Sequence, residues 1–536
     1  MSNTKTIAKN TGWYGVETAI DNTLTLLTSI AIARYLGPKT AGYILFVQWV
    51  AQVSGNLGAV GIPVTLRKYM GEFLGKGDKG TARFIYLRTL LLQTLMATVA
   101  TSGIVLWVRR EPSAELRMAC VLIALSIWPQ MVNSISAQAN VASEDLFRNM
   151  PASAISMLTF FFSITATVFF HWGVVGVGAS VLLCRSVDFL IRFIPTFRWI
   201  SSWEITHAHP EGLRERAVGF ALQSLLTMAL GMVVWDRSEY FLLKYHCSDI
   251  SQIAFYSVAF SMANRLLVSS TIFGSATGAT IFAQYGRDES KLPSLVSSAF
   301  RYLAMTSIPI HTLFTALAIP VLLVLYGDKY VGAESVVVIA PLLCMSKAFY
   351  SPVQNLLQSF EKQRWIIAVT VFAGMIDMGL AWILIPAHGA VGACIANGVA
   401  QFVAVALLWG IAIVMFKVKL PWLLTAKVAL ATGAAALASY YCAGSVALNS
   451  RATAHPAHSI QHWLIDAPVV LAYGCVSFAV LLVLFYVFRI LQEEDRDRLN
   501  QVASMLPGPL PTVAKAIVSV LIRRKSVPVA ANAALL

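Results

Sequence analysis

Long apolar runs separated by short polar turns recur along the whole chain. Each run has about 20 residues, the length that an α-helix needs to cross a hydrocarbon core about 30 Å thick. Because backbone polar groups find no water inside a bilayer, segments of this kind cross it as helices. We therefore predict an all-α, polytopic membrane protein with about fourteen transmembrane helices. The predicted spans cover approximately residues 11–34, 41–63, 84–108, 117–142, 151–170, 173–194, 217–243, 251–282, 297–326, 333–359, 364–386, 389–416, 421–446 and 467–490.

Polar sequence between the runs divides the predicted helices into groups. A basic, polar interruption separates two halves of six helices each, and a further helix pair follows the second half. A short basic amphipathic helix is predicted at 512–525, after a proline-rich break. The predicted organisation is an N-terminal lobe (1–200), a cytoplasmic linker (201–216), a C-terminal lobe (217–416), an accessory helix pair (417–492) and a cytoplasmic tail (493–536).

The two halves repeat each other at polar and glycine positions. Arg88 and Arg301 lie 213 residues apart, at the same depth of the third and ninth predicted spans. Because each half has an even number of spans, the repeats share one orientation and are related by an axis along the membrane normal. Four further positions recur 216 residues later, as Gln138 and Gln354, Arg148 and Arg364, Gly173 and Gly389, and Gly176 and Gly392.

Composition and charge agree with a membrane protein. Of the 536 residues, 57% are hydrophobic and 12% are charged, whereas a soluble domain is about 45–50% apolar. The net charge of +14 does not indicate nucleic-acid binding, because no soluble segment interleaves basic residues with aromatic ones. Lys and Arg instead concentrate on the side that holds both predicted termini, which predicts cytoplasmic termini. The seven cysteines lie singly, without the spacing of a metal site.

Ionisable side chains recur inside the predicted spans, where each costs roughly 2.5–3.5 kcal/mol and needs a partner or a water-filled cavity. Polar stripes on several helices predict such a cavity between the halves. Two interpretations remain open: acids such as Asp377 bind Na⁺ or a proton, or the arginines hold a phosphate or diphosphate, which suits their fork of donors. The structural alternative is that the charges pair with one another, for example Arg185 with Asp188.

The candidate residues form two sets. Arg88 and Arg301 occupy equivalent places in the two halves, so we expect them to reach one anionic headgroup from opposite sides. No metal or cofactor is predicted, and coupling to the membrane potential, Na⁺ or H⁺ is left open. The candidate substrate-binding residues are Arg88, Arg301, Arg237, Arg265, Arg185, Lys347, Gln138 and Gln354. The candidate residues for coupling or charge balance are Glu17, Asp21, Asp236 and Glu239.

Enzyme signatures do not stand out. The chain has no GxSxG elbow, no P-loop, no HExxH and no DxD-like acidic motif in a soluble domain. The predicted loops are also too short to house a catalytic fold. We therefore predict that the protein is not an enzyme.

One hairpin carries a family resemblance. Arg34 leads into a tight turn at Gly37 and Pro38, Gly42 follows, and the segment LGAVGIPVTLRKYMGE ends the hairpin. With the GAVGA turn before the twelfth span and the six-six-two layout, this pattern resembles the polysaccharide-type branch of the multidrug/oligosaccharidyl-lipid/polysaccharide (MOP) exporter superfamily. The resemblance covers about residues 8–416. The second half has His246-Cys247-Ser248 where the turn would recur, so that turn is not assigned the same geometry.

The resemblance implies a flippase of the inner membrane. Such a protein moves a polyprenyl-diphosphate-linked oligosaccharide from the inner to the outer leaflet by alternating access, for surface polysaccharides such as lipopolysaccharide. The implied partners are the lipid-linked oligosaccharide, membrane lipids and other polysaccharide-assembly proteins, without nucleic acid. A drug or cation antiporter of the same fold predicts a cavity dominated by acids. A membrane glycosyltransferase or polymerase predicts a large extramembrane loop with catalytic residues.

Overall fold

The computed structural model describes residues 2–143, 145–204, 212–452, 460–491, 495–496 and 512. Within these ranges, side chains are not described for residues 2–22, 442–452, 460–467, and 146, 275, 276, 279, 283 and 286. The side chains of Glu17 and Asp21, most of the predicted linker and almost all of the predicted amphipathic helix therefore lie outside the described part.

Every regular element in the described residues is a helix, which confirms the all-α fold class. Short 3-10 turns lie at Leu146–Arg148, Glu289–Lys291, Asp328–Ala333 and Met345–Phe349. The α-helices are α1 (Ser2–Gly58), α2 (Ile62–Gly75), α3 (Lys79–Val108), α4 (Ala114–Leu125), α5 (Ile127–Ala142), α6 (Met150–Phe169), α7 (Gly173–Ser201), α8 (Leu213–Trp235), α9 (Glu239–His246), α10 (Ser251–Leu266), α11 (Val268–Arg287), α12 (Leu292–Tyr326), α13 (Glu334–Cys344), α14 (Tyr350–Ser359), α15 (Gln363–Phe416), α16 (Trp422–Ala452) and α17 (Ile460–Val487).

The described helices make a multi-pass membrane protein. Ten are long and apolar enough to cross a bilayer, and the count reaches eleven if Thr23–Gly58 and Ile62–Gly75, bent by 43°, form one span. Helix α15 contains two of the predicted spans, because its backbone leaves helical geometry at Gly389 (φ 53°, ψ −127°). The predicted number of about fourteen spans stays a prediction.

The predicted hairpin turn lies inside α1. Gly37 adopts φ 72° and ψ 169°, a region open almost only to glycine, and Pro38 begins the next helical segment. A Cβ atom at Gly42 would clash with the carbonyl oxygen of Ile250 in the loop before α10. Small residues at these positions thus allow both the sharp break and the close approach of a second backbone.

The repeat inferred from the sequence has a structural counterpart at two glycine pairs. Gly173 and Gly389 both adopt positive φ, 63° and 53°, at the break before a helical segment. A Cβ at Gly176 would lie 2.6 Å from Thr167 Cγ2, and one at Gly392 would lie 2.5 Å from the carbonyl oxygen of Leu384. In each half, glycine therefore permits the helix to fold back closely on the preceding one.

The chain divides into two packed units. Unit 1 comprises Met1–Ser261, Leu325–Val336 and Ile367–Ala404, and unit 2 comprises Met262–Val324, Val337–Ile366 and Val405–Leu536. In unit 1, apolar side chains of α1 and α3 to α7 form one buried cluster, and a second surrounds Tyr69 and Tyr86. The predicted lobe boundaries at 200 and 217 stay predictions.

Unit 2 has an aromatic centre. The ring of Phe300 lies 4.8 Å from that of Phe349 and 4.9 Å from that of Trp409, measured between centroids. The Trp409 indole donates to the carbonyl oxygen of Phe349 at 3.0 Å. The buried indole N–H is thus satisfied within the same cluster that packs the helices together.

Candidate functional site in a broken membrane helix

A break between two membrane helices organises the candidate site, which lies entirely in unit 1. Helix α8 ends at Trp235, α9 begins at Glu239, and Asp236 between them is extended (φ −118°, ψ −162°). Inside a membrane, the backbone groups that such a break frees must find partners in the protein or in a water-filled cavity. Broken helices of this kind mark binding sites in many transporters.

Helix α15 supplies partners for the end of α8. Gln401 Nε2 donates to the carbonyl oxygen of Val234 at 3.2 Å, and Asn397 Nδ2 lies 3.4 Å from the same oxygen. Gln401 also donates to Asn397 Oδ1 at 2.8 Å. Two buried amides one helical turn apart therefore stabilise the break from the side.

Arg237 lies in the break and is held by hydroxyl groups. Its guanidinium donates to Tyr240 Oη at 3.1 Å, Ser257 Oγ at 3.3 Å and Ser261 Oγ at 3.0 Å. Asp236 accepts from the Arg237 backbone N–H at 2.9 Å, so it caps the backbone. Among the described residues, the guanidinium forms no ion pair. A cation at this depth without a carboxylate partner is positioned to attract an anion.

Two carboxyl groups lie on the other side of the break. Glu239 is fully buried and accepts from Tyr256 Oη at 2.9 Å and from Asn397 Nδ2 at 2.8 Å. Asp377 is also fully buried and shares the same Asn397 donor at 3.4 Å. Asp377 Oδ1 accepts no hydrogen bond in the described part of the chain.

This arrangement suits a small cation or a proton. Two buried carboxylates that share one neutral donor are costly unless a positive charge joins them. Oxygen ligands are also those that hard cations prefer. The break thus places a cation next to a carboxyl pair, with Arg237 and Glu239 only two residues apart.

The other predicted residues of unit 1 have different surroundings. Arg88 is exposed, and its guanidinium lies 5.4 Å from the ring centroid of Phe84. It shares a helix face with Leu91 and Leu95, which are 57% and 54% exposed, as expected of a lipid-facing stripe. The amide oxygen of Gln138 is buried without a partner in the described residues.

The alternative in which Arg185 pairs with Asp188 is not what the structure shows. Asp188 instead forms an ion pair with Arg192 at 2.7 Å and accepts from Asn133 at 2.7 Å. Residues four apart on a helix lie on one face, so Arg192 reaches the carboxylate well. Arg185 is partly buried and forms no ion pair with a described residue.

In unit 2, the predicted basic residues mostly have protein partners. Arg301 Nη2 forms an ion pair with Asp495 Oδ2 at 2.5 Å, and the same carboxylate accepts from Tyr302 at 3.0 Å. Lys347 donates to Asn264 at 3.5 Å. Arg265 and Gln354 are partly buried on α10 and α14. A joint role of Arg88 and Arg301 stays a prediction.

The sequence pattern did not identify every residue of the site. Tyr256, Asn397 and Gln401 were not predicted, and Asp377 was named among the acids that could bind Na⁺ or a proton but not among the candidate site residues. Asn397 and Gln401 lie four residues apart in a strongly apolar helix, and this polar pair was the available signal. The partners of Glu239 lie 17 and 158 residues away in the chain, so spacing alone could not bring them together.

Comparison with known proteins identifies the fold of the chain. No family model and no curated protein sequence matches the chain. Among solved structures, lipid II flippase MurJ in an inward closed conformation matches with a TM-score of 0.63 and 13% identity, covering 90% of this chain and 99% of MurJ. The chain has the fold of MOP-superfamily transporters.

Two further MOP-superfamily structures are similar over a shorter part of the chain. An inward-facing multidrug resistance MATE family transporter matches with a TM-score of 0.61 and 17% identity, covering 74% of this chain and 96% of the transporter. A MOP superfamily transporter from Pyrococcus furiosus, described with a binding pocket of reversed polarity, matches with a TM-score of 0.55 and 16% identity over 75% and 94%. The MurJ likeness therefore extends further along this chain than either of these two.

Proposed function

We propose that the protein is a MOP-type flippase that moves a polyprenyl-diphosphate-linked oligosaccharide from the inner to the outer leaflet of the cytoplasmic membrane. The observation that carries the proposal is Arg237, a partly buried arginine held by hydroxyl groups at a helix break. A diphosphate can replace those hydroxyls as the acceptor, because charge-assisted hydrogen bonds are about twice as strong as neutral ones. The greater extent of the MurJ likeness supports a flippase over a drug exporter.

A basic, hydrated cleft would allow the polar head of the glycolipid to cross the bilayer. The polar head cannot cross hydrocarbon alone, whereas a cleft open towards lipid shields it while the polyprenyl tail stays in the bilayer. In this proposal the predicted lobes 1–200 and 217–416 alternate around the cleft. With the cytoplasm negative, outward movement of a diphosphate of charge about −2 gains roughly 2.3 kcal/mol per charge per 100 mV.

The carboxyl pair would couple the transfer to an ion. Glu239 begins α9, two residues after Arg237, and Asp377 reaches the same Asn397 donor. Binding of Na⁺ or H⁺ between the carboxyl groups would relieve their repulsion and change how tightly α15 holds the break. The net charge of the site around Arg237 would then depend on whether the ion is bound.

One end of the cleft would be closed by contacts of the hairpin. Arg34 Nε donates to the carbonyl oxygen of Leu325 at 2.7 Å, and Tyr330 Oη donates to that of Ala33 at 3.3 Å. These bonds join α1 to the segment 325–336. In an alternating-access cycle they would break when that end opens.

The proposal includes a location and partners. We place the chain in the inner membrane with both termini in the cytoplasm, in contact with other polysaccharide-assembly proteins, and acting by transport without catalysing a reaction. The carboxyl pair also favours a second candidate, a drug or cation antiporter. In that case the acids would bind the substrate or its coupling ion, and no glycolipid would depend on the protein.

The test is the sidedness of lipid-linked oligosaccharide in spheroplasts of a strain that lacks the protein. A glycosidase that cannot cross the membrane reports which molecules face outward. We expect an intact glycolipid to accumulate in an inaccessible form, and mass spectrometry would identify its sugar. Normal accessibility would favour the antiporter, and a truncated glycan would favour a transferase.

A further inference from the structure

A cavity of about 390 Å³ lies in unit 1, away from the break in α8 and α9. It is formed where α2 and α5 end, where α3 begins and where α7 ends. Its wall includes Leu74, Lys79, Ser143, Trp199 and Trp203. None of these residues belongs to the proposed transport site.

The wall of this cavity offers hydrogen-bond donors. The rings of Trp199 and Trp203 meet edge to face at 5.0 Å between centroids, and neither indole N–H bonds to a described residue. Lys79 is exposed and forms no ion pair with the described residues. Ser143 donates its hydroxyl proton to the carbonyl oxygen of Ala139 at 2.8 Å. Three unused donors, with no carboxylate among the described residues of the wall, suit an anion with several acceptor oxygens.

Two described acids near the cavity are already engaged. Glu72 pairs with Lys76 at 2.6 Å, and Asp145 pairs with Arg148 at 2.6 Å. They therefore do not neutralise Lys79.

Two further arginines hold the tryptophans in place. The guanidinium of Arg148 lies 4.0 Å from the ring centroid of Trp199. Arg83 Nη1 donates to the carbonyl oxygen of Trp203, and its Nε is buried without a partner in the described part of the chain. The cavity is thus a fixed, positively charged site and not a loose gap between helix ends.

We propose that this cavity binds the phosphate headgroup of an anionic phospholipid from the adjacent leaflet. Tryptophan and lysine at the ends of membrane helices lie at headgroup level, where anionic lipids attract basic groups. Lys79 would contact the phosphate, and the indole N–H groups would donate to its oxygens. The bound lipid would hold together the ends of four helices, so it would stabilise unit 1.

The test uses the purified full chain in a neutral detergent. Dihexanoyl phosphatidylglycerol is titrated while the melting temperature is followed, with dihexanoyl phosphatidylcholine as the uncharged comparison. We expect the phosphatidylglycerol to raise the melting temperature and the phosphatidylcholine to leave it unchanged. Lys79→Gln should raise the half-saturating lipid concentration by about tenfold, because one charge-assisted bond is lost.

Two more variants make the result specific. Trp199→Phe keeps the aromatic ring but removes one donor, so it should also weaken the response. Lys76→Gln removes the same charge three residues away, outside the cavity wall, and should respond like the wild type.

Three outcomes would overturn the assignment. They are an equal response to the two lipids, an unchanged response in both Lys79→Gln and Trp199→Phe, and an equal shift with glycerol 3-phosphate alone. The last result would identify a site for soluble phosphate esters. None of these measurements depends on transport, so they are independent of the proposed function.

Discussion

Arg237 in unit 1 and Arg301 in unit 2 are both arginines inside predicted membrane spans, but their surroundings differ. Arg301 contacts the buried carboxylate of Asp495 at 2.5 Å, whereas Arg237 donates to three hydroxyl groups at 3.0–3.3 Å and lies 4.9 Å from the ring centroid of Phe260. A carboxylate partner neutralises the charge, and hydroxyl partners orient it without neutralising it. The difference indicates that an intramembrane arginine can stabilise the fold or remain available for a ligand.

The same contrast applies to the acids of the two sites. Asp495 has a basic partner, whereas Glu239 and Asp377 have only neutral donors, from Tyr256 and Asn397. The Arg301–Asp495 ion pair in unit 2 is therefore neutral without a ligand. In the proposed function, an anion and a cation complete the cluster in unit 1, and this requirement would distinguish a transport site from a structural ion pair.

The largest effect is expected from Arg237→Gln. Loss of the partly buried charge of Arg237, which would contact a charged ligand, is expected to lower the transport rate on the order of 100-fold. Membrane abundance should be retained, because glutamine still bonds to the serine hydroxyls. Outward exposure of the glycolipid in spheroplasts measures the effect, with the exposed Arg198→Gln as the matched control. Wild-type exposure in Arg237→Gln would place Arg237 with Arg301 as a structural residue.

Glu239→Gln and Asp377→Asn should change coupling. Each variant removes one of the two charges, so we expect transport that no longer responds to an imposed Na⁺ or proton gradient. Transport rates in proteoliposomes with and without each gradient measure this response. Glu115→Gln, at an exposed acid of α4, should respond like the wild type. If both carboxyl variants kept the gradient response, the coupling role would be wrong.

Arg301→Gln should lower stability. It leaves the Asp495 carboxylate, 1% exposed, without its cation, at a cost on the order of 2–3 kcal/mol in the free energy of unfolding. The double variant Arg301→Met with Asp495→Leu removes both charges and should be closer to the wild type than either single change. Melting temperatures of the wild type, Arg301→Met, Asp495→Leu and the double variant measure this coupling. Additive effects would mean that the ion pair does not stabilise unit 2.

The smallest effect is expected at the hairpin turn. Gly37→Ala forces a Cβ into a backbone region that glycine alone favours, at about 1–3 kcal/mol. Gly410→Ala lies in helical backbone with no atom within 4 Å of the new Cβ, so it should not lower stability. The melting temperatures of the two variants test whether glycine is needed at position 37 because of its backbone conformation. Equal values would contradict the backbone argument.

Local patterns predicted the fold better than the site. The apolar runs predicted the helices, and Gly37 followed by Pro38 predicted the break within α1, because both signals act within a few residues. Arg237 and Glu239 could be named from their charge, whereas Asn397 could not, since it meets Glu239 only in the folded chain. Arg88 was predicted to bind the substrate, although the leucines three and seven residues later in the sequence are typical of a lipid-facing helix stripe.

The central claim is that Arg237 binds the diphosphate of the substrate. Binding of undecaprenyl diphosphate and of undecaprenol to the purified full chain, compared by native mass spectrometry, tests it most directly. We expect the diphosphate to bind more tightly than the alcohol in the wild type and in Arg198→Gln, and the preference to disappear in Arg237→Gln. An equal preference for the diphosphate in Arg237→Gln would contradict the claim.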